Sequence, residues 1–189
     1  MSAEENLTVA PAESRGGLAE VVPARAQVRK PTEPGWGVVT AREAAHMSAH
    51  DEVAAASAQF YAALNRMLTG QKGSMDAIWS HGATATTMHP IGGRELGWDA
   101  IRPVWDQVAS LASGGQVALA DQLLSVVGDT AYEVGVERGH GTLAGEEVAI
   151  EQRVTNIYRR ENGAWKVVHH HTDLSPAMME LLARLQAKG

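Results

Sequence analysis

Tyr158-Arg159-Arg160-Glu161-Asn162-Gly163-Ala164-Trp165-Lys166-Val167-Val168-His169-His170-His171 is the stretch on which the fold turns. At its centre Asn162-Gly163 separates two alternating runs, and this pair accepts the positive φ angles of a two-residue primed turn. Such a turn sets Glu161 against Ala164, Tyr158 against Val167, Asn156 against His169 and Val154 against His171. Successive strand residues point to opposite faces, so Trp165, Val167, His169, His171 and Asp173 are expected on one face. Lys166, Val168, His170 and Thr172 fall on the other. Trp165 keeps company with Tyr158, Val154 and Val167, which makes its face the inner one and turns His169 and His171 into the domain.

Strands are read at 116–127, 131–141, 147–160 and 164–172, with turn signals at Gly128-Asp129, Gly145 and Asn162-Gly163. Consecutive strands joined by short turns make an antiparallel meander. Upstream, Val53, Ala56, Phe60, Leu64, Met67 and Leu68 recur at helical spacing, with Ser48 and Asp51 placed as a capping box and Gly70 as the stop. A short helix is expected at 74–79 and a Thr-rich strand at 83–89, ended by Pro90 and Gly92-Gly93. The next helix carries Trp98, Ile101, Trp105, Val108 and Ala112 on one stripe and closes at Ser113-Gly114-Gly115. Ser175-Pro176 begins a last helix with Met178, Leu181, Leu182 and Leu185 on its apolar side. The fold class is therefore α+β, a cone-shaped curved antiparallel sheet packed on N-terminal helices, with a C-terminal helix added.

Residues 1–46 hold Pro11, Pro23, Pro31 and Pro34 among Ala, Glu, Gly and Arg without a sustained period, and read as a disordered leader. Trp36 to Val39 is a lone apolar patch within it, and Met47 looks like a native start. Residues 47–189 make the domain, since 189 residues suffice for one core beyond such a leader. A formal charge of −6 with no clustered Lys and Arg argues against nucleic acid as a partner. No apolar run is long enough for a membrane span, and neither a signal peptide nor a cysteine is present, so a cytoplasmic location is expected.

With the elements placed, the order of helix, short helix, strand, helix and four-stranded meander resembles the nuclear transport factor two-like superfamily, which includes ketosteroid isomerase, scytalone dehydratase and SnoaL-like polyketide cyclases. The segment 158–171 looks like the closing hairpin of small SnoaL-like proteins. It is also similar to the association domain of calcium/calmodulin-dependent kinase II, where a Trp is followed at four and six residues by His. His89-Pro90-Ile91-Gly92-Gly93 with Gly97-Trp98-Asp99-Ala100-Ile101 fits the same group's strand-to-helix connection. The resemblance covers residues 50 to 174 and implies the cone fold. It does not place the acid and base of ketosteroid isomerase on any residue here, and a fold of this kind hosts many activities.

His169 and His171 are the candidate catalytic pair, because His changes charge near neutral pH and both are read as facing inward. Asn156 would orient them; Trp98, Tyr61, Met88, His89 and Tyr158 are the candidate substrate-binding residues around an apolar pocket suited to a ring-containing molecule. The alternative for the histidines is structural, with hydrogen bonds to Asn156, Gln152 or Tyr158 that complete the hairpin. A His-x-His pair can share a metal, but only Asp173 or His89 offers a third ligand, and neither a metal nor a cofactor is expected. Two functions follow: an isomerase, cyclase or lyase that uses a pocket His as base without a cofactor, or a non-catalytic module that binds a ligand or partner. A homodimer through the outer sheet face, bearing Val168, Ile157 and Val126, is expected in either case.

Overall fold

The computed structural model describes residues 47–187. The predicted leader at 1–46, with its Trp36 to Val39 patch, lies outside the described residues. Helix α1 (Ala49–Leu68) starts at the expected capping box, in which Asp51 N donates to Ser48 Oγ at 3.1 Å. Its apolar stripe from Val53 to Leu68 is buried. Strands β1 (Thr86–Met88) and β2 (Glu95–Leu96) follow, then α2 (Trp98–Leu111), β3 (Ala112–Val127), β4 (Thr130–Leu143), β5 (Glu146–Glu161), β6 (Ala164–Thr172) and α3 (Pro176–Gln186). One curved six-stranded sheet runs in the order β2-β1-β6-β5-β4-β3. It packs its inner face on α1 and α2, around Phe60, Ile101, Trp105, Tyr158 and Val167.

The class is α+β as expected, with corrections in detail. The sheet is mixed rather than wholly antiparallel, because β1 lies parallel to β6, pairing Thr87 with His170. Residues 74–79 form turns instead of a short helix, and Trp79 bridges to Val167. Ser113-Gly114-Gly115 do not stop α2 in a loop; they open β3, where glycine is needed because a Cβ on Gly115 would come within 2.6 Å of His140 O. Gly139, opposite Val117, is tighter still, its Cβ position lying 1.9 Å from Gln116 O. Close approach of β3 and β4 at these glycines lets the sheet curl over α1.

The largest departure sits in β6. The expected register holds from Glu161 and Ala164 to Tyr158 and Val167, then shifts by one residue, so that Ile157 pairs with His169, Asn156 with His170 and Val154 with Thr172. Val168 is the extra residue of a β-bulge, and one extra residue inverts the facing of everything after it. The inner histidine is therefore His170, at 3% exposure, whereas His169 is half-buried and His171 exposed on the outer face. Val126, expected outside, packs against the core because β3 has its own shift between Ala120 and Leu123, where Asp121 takes a φ of 53°.

Candidate functional site

Between the sheet and the C-terminal half of α1 lies a cavity of about 180 Å³. Leu64, Met67 and Leu68 of α1, Trp105 and Val108 of α2, and Ile150 of β5 supply apolar wall. Helix α3 covers it with Met178, Leu181, Leu182 and Leu185, as its amphipathic spacing predicts. Ser175 caps α3 and Arg184 Nε meets Glu146 Oε2 at 3.0 Å, fixing the cover at both ends. Four polar side chains reach this wall: His89, Glu137, Gln152 and His170.

Behind them runs a continuous buried network. His170 Nδ1 lies 2.7 Å from Asn156 Oδ1, and Asn156 Nδ2 donates to Glu133 Oε2 at 2.8 Å and more weakly to the Tyr61 hydroxyl at 3.4 Å. Those donations identify Asn156 Oδ1 as the acceptor, so the proton sits on His170 Nδ1 and Nε2 keeps its lone pair. Glu133 also accepts from Ser57, from Gln122 at 2.6 Å and from Tyr158 at 2.8 Å. Glu137 accepts from Gln152 Nε2 at 2.9 Å and from the Tyr61 hydroxyl at 3.3 Å.

Burial sets the protonation states. Glu137 is pushed up to about 7 chiefly by desolvation, which outweighs its two hydrogen bonds. His170 is pushed down to about 3, again mainly by burial, and stays neutral at physiological pH. Burial also lowers His89, partly countered by Glu95, whose Oε2 is 2.7 Å from His89 Nε2. Tyr61 and Tyr158 are raised by burial and by the nearby carboxylates, so both hydroxyls remain donors.

Of the candidate catalytic and substrate-binding residues, His89 alone lines the cavity directly. Asn156 and Tyr61 stand one layer behind it, in contact with His170 and Glu137. Tyr158 bonds to Glu133 and lines a separate cavity with Glu52, Trp165 and Lys166. Trp98 stacks on His81 at 4.7 Å and on Trp79 at 6.4 Å, away from the α3-covered cavity. Met88 is half-buried and pairs with His171. His169 Nδ1 is 2.7 Å from Thr86 Oγ1, and neither His169 nor His171 lines the cavity, because the Val168 bulge turns them to the outer face.

The carboxylates Glu133 and Glu137 were not among the expected residues. A pattern did point to them. β4 pairs Glu133 with Asn156 and Glu137 with Gln152, and residues directly opposite in an antiparallel pair share a face. Once Asn156 and Gln152 are read as inner, the turn at Gly145 makes both glutamates inner as well. Composition conceals this, since Tyr132, Val134 and Val136 look like the buried face of the same strand.

Among the described residues, no helix is long and apolar enough to cross a membrane. No curated protein matches the chain. Solved structures do. A candidate dehydratase of the NTF2-like family from Streptomyces avermitilis is 23% identical with a TM-score of 0.59, over 68% of this chain and 96% of that one. A candidate calcium/calmodulin-dependent protein kinase type II association domain from Thiobacillus denitrificans is 26% identical with a TM-score of 0.51, over 65% and 94%. A candidate aromatic ring hydroxylase from Novosphingobium aromaticivorans is 20% identical with a TM-score of 0.56, over 66% and 87%. These likenesses agree on the NTF2-like fold. Residues 53–179, well over half of the sequence, match the SnoaL-like domain, and the chain belongs to that family.

Proposed function

We propose that the chain binds a small, largely apolar molecule in the α3-covered cavity and moves a proton on it, in an isomerase or lyase type of reaction with Glu137 as the base. The observation that carries this reading is Glu137, a carboxyl group raised to about 7 on the wall of an apolar cavity. A base with that value is about half ionised at neutral pH, yet strong enough to take a proton from a carbon acid. In the step, Glu137 forms an O–H bond as the substrate C–H bond breaks. The electron pair passes into the adjoining π system or expels a neighbouring hydroxyl. Protonated Glu137 then returns the proton to another carbon or to the departing oxygen. His170, held neutral, is too weak a base for this work and orients the substrate instead through Nε2. The role first expected of His169 and His171 passes to Glu137 and His170.

The test is a screen of cyclic ketones and alcohols in deuterated water, read by proton NMR, with Glu137→Gln alongside. Wild type should give enzyme-dependent deuterium incorporation or elimination that the variant lacks. Equal turnover by both, or a Glu137 midpoint near the ordinary 4.5 in a carbon-13 titration, rejects the reading.

The association reading keeps one specific observation in its favour. Tyr132 is 45% and Leu123 52% exposed on the outer sheet face, with half-buried Val134 and Ile157 beside them. Such a face fits a second copy of the chain. Self-association and turnover are compatible, since the cavity opens on the opposite side of the sheet.

A further inference from the structure

The polar inventory of the cavity says what kind of molecule it takes; this rests on the reading above only for the premise that a ligand sits there. Three acceptors meet the wall. His170 Nε2 has its lone pair free, because Nδ1 holds the proton that Asn156 accepts. Gln152 Oε1 is buried with no hydrogen-bond partner among the described residues, its amide nitrogen being committed to Glu137. Glu137 itself is the third. Against them stands Trp105 Nε1, a donor of the wall that is buried and without a partner among the described residues, while His89, the other polar side chain there, has its Nε2 2.7 Å from Glu95 Oε2. Neither Lys nor Arg lines this cavity.

A buried acceptor without a donor is costly, and a ligand that brings the donor removes the cost, whereas one that brings another acceptor adds to it. An anion would also lose its hydration with no cation to replace it, beside a carboxyl group that is itself partly ionised. Size narrows the choice further. The cavity measures about 180 Å³, and apolar cavities of about 150 Å³ hold one benzene ring.

We infer that the cavity selects a single-ring molecule, neutral or cationic, that presents hydroxyl or amino donors, and that it rejects carboxylates. The donor is met by Gln152 Oε1 and His170 Nε2, and the ring lies against Trp105 and the α3 leucines. A cationic amine would in addition pair with ionised Glu137, so its affinity would rise with pH, while a phenol's would not.

The experiment is calorimetric titration of the full chain with toluene, 4-methylphenol, benzylamine and benzoate. At pH 7.5, 4-methylphenol or benzylamine should bind at least about tenfold tighter than toluene, the effect of one good buried hydrogen bond. Benzoate should bind weaker than toluene. Gln152→Leu should narrow the preference for 4-methylphenol over toluene by at least about threefold, His170 Nε2 remaining as an acceptor. A benzylamine affinity that climbs about tenfold from pH 6 to pH 8.5 assigns the amine, and a flat preference for 4-methylphenol assigns the hydroxyl. Toluene binding as tightly as both donor ligands, or benzoate binding as tightly as 4-methylphenol, overturns donor selection while leaving the cavity a ligand site. Failure of all four ligands to bind overturns the ligand-site reading, and this inference with it.

Discussion

His170 and Asn156 face each other across β5 and β6, Nδ1 to Oδ1, at 2.7 Å. This hydrogen bond joins His170 of the cavity wall to the buried carboxylate Glu133, because the same Asn156 donates to Glu133 Oε2 at 2.8 Å. Replacing His170 by Phe keeps an aromatic ring beside Phe60 and Trp105 but leaves Asn156 Oδ1 unsatisfied in the interior. The expected loss is about 1–3 kcal/mol of stability, measured by urea unfolding. His171→Gln on the exposed face should stay within about 0.5 kcal/mol of wild type. The opposite ranking would show that His171, and not His170, is the buried residue.

Glu137 gives the fold a pH dependence of known sign. Its folded value of about 7 exceeds the ordinary 4.5, so its contribution is fully present below 4.5 and is lost as pH rises through 7. The lost part is on the order of 3 kcal/mol. His170 acts in the opposite direction, since its depressed value makes the fold lose stability as pH falls from 6.5 toward 3. The comparison that isolates Glu137 is wild type against Glu137→Gln. Their difference in melting temperature should be small at pH 4.5 and should favour the variant increasingly up to pH 8. A constant difference over that span would mean that Glu137 titrates normally in the folded protein.

The β3–β4 contact predicts two unequal glycine substitutions. At Gly139 a Cβ would meet Gln116 O at 1.9 Å, so Gly139→Ala must part the strands and should cost more than about 3 kcal/mol. Gly128, with φ +59° and open space around its Cβ position, carries only the left-handed backbone penalty, about 1–2 kcal/mol for alanine. Chemical denaturation of the two variants should return that order. Equal losses would place the strain in the backbone angles and not in the strand contact.

For the outer face, light scattering at micromolar concentration should give twice the chain mass if the proposed homodimer forms. Tyr132→Glu with Leu123→Lys, both exposed and on one face, should return the monomer without lowering the melting temperature of the domain by more than a few degrees. A wild-type monomer, or a dimer indifferent to both changes, excludes this face.

Helices α1 and α3 and the strands of the meander were legible in the sequence because each has a local cause. Ser48 and Asp51 close a capping box, Asn162-Gly163 makes a turn, and the Leu64 to Leu68 stripe has helical period. The bulge at Val168 has no such cause in the residues around it. Val167-Val168 reads as ordinary strand, and the shift falls where β6, paired with β5 on one side, begins to pair with β1 on the other at His169. The glutamates of β4 were hidden for a related reason. Periodicity ranks faces by apolarity, and here the polar residues Glu133, Glu137, Gln152 and Asn156 occupy the inner face because they satisfy one another across the strands.

The run of histidines after the bulge makes the position opposite Asn156 indifferent to reading frame. With regular pairing His169 would stand there, and with the extra residue His170 does, so the same imidazole meets the same amide in both alignments. A deletion of Val168 would likewise restore unbroken pairing with His170 in place. Slippage in this strand, which elsewhere exchanges core for surface, is chemically silent at the one site where the network needs a particular side chain.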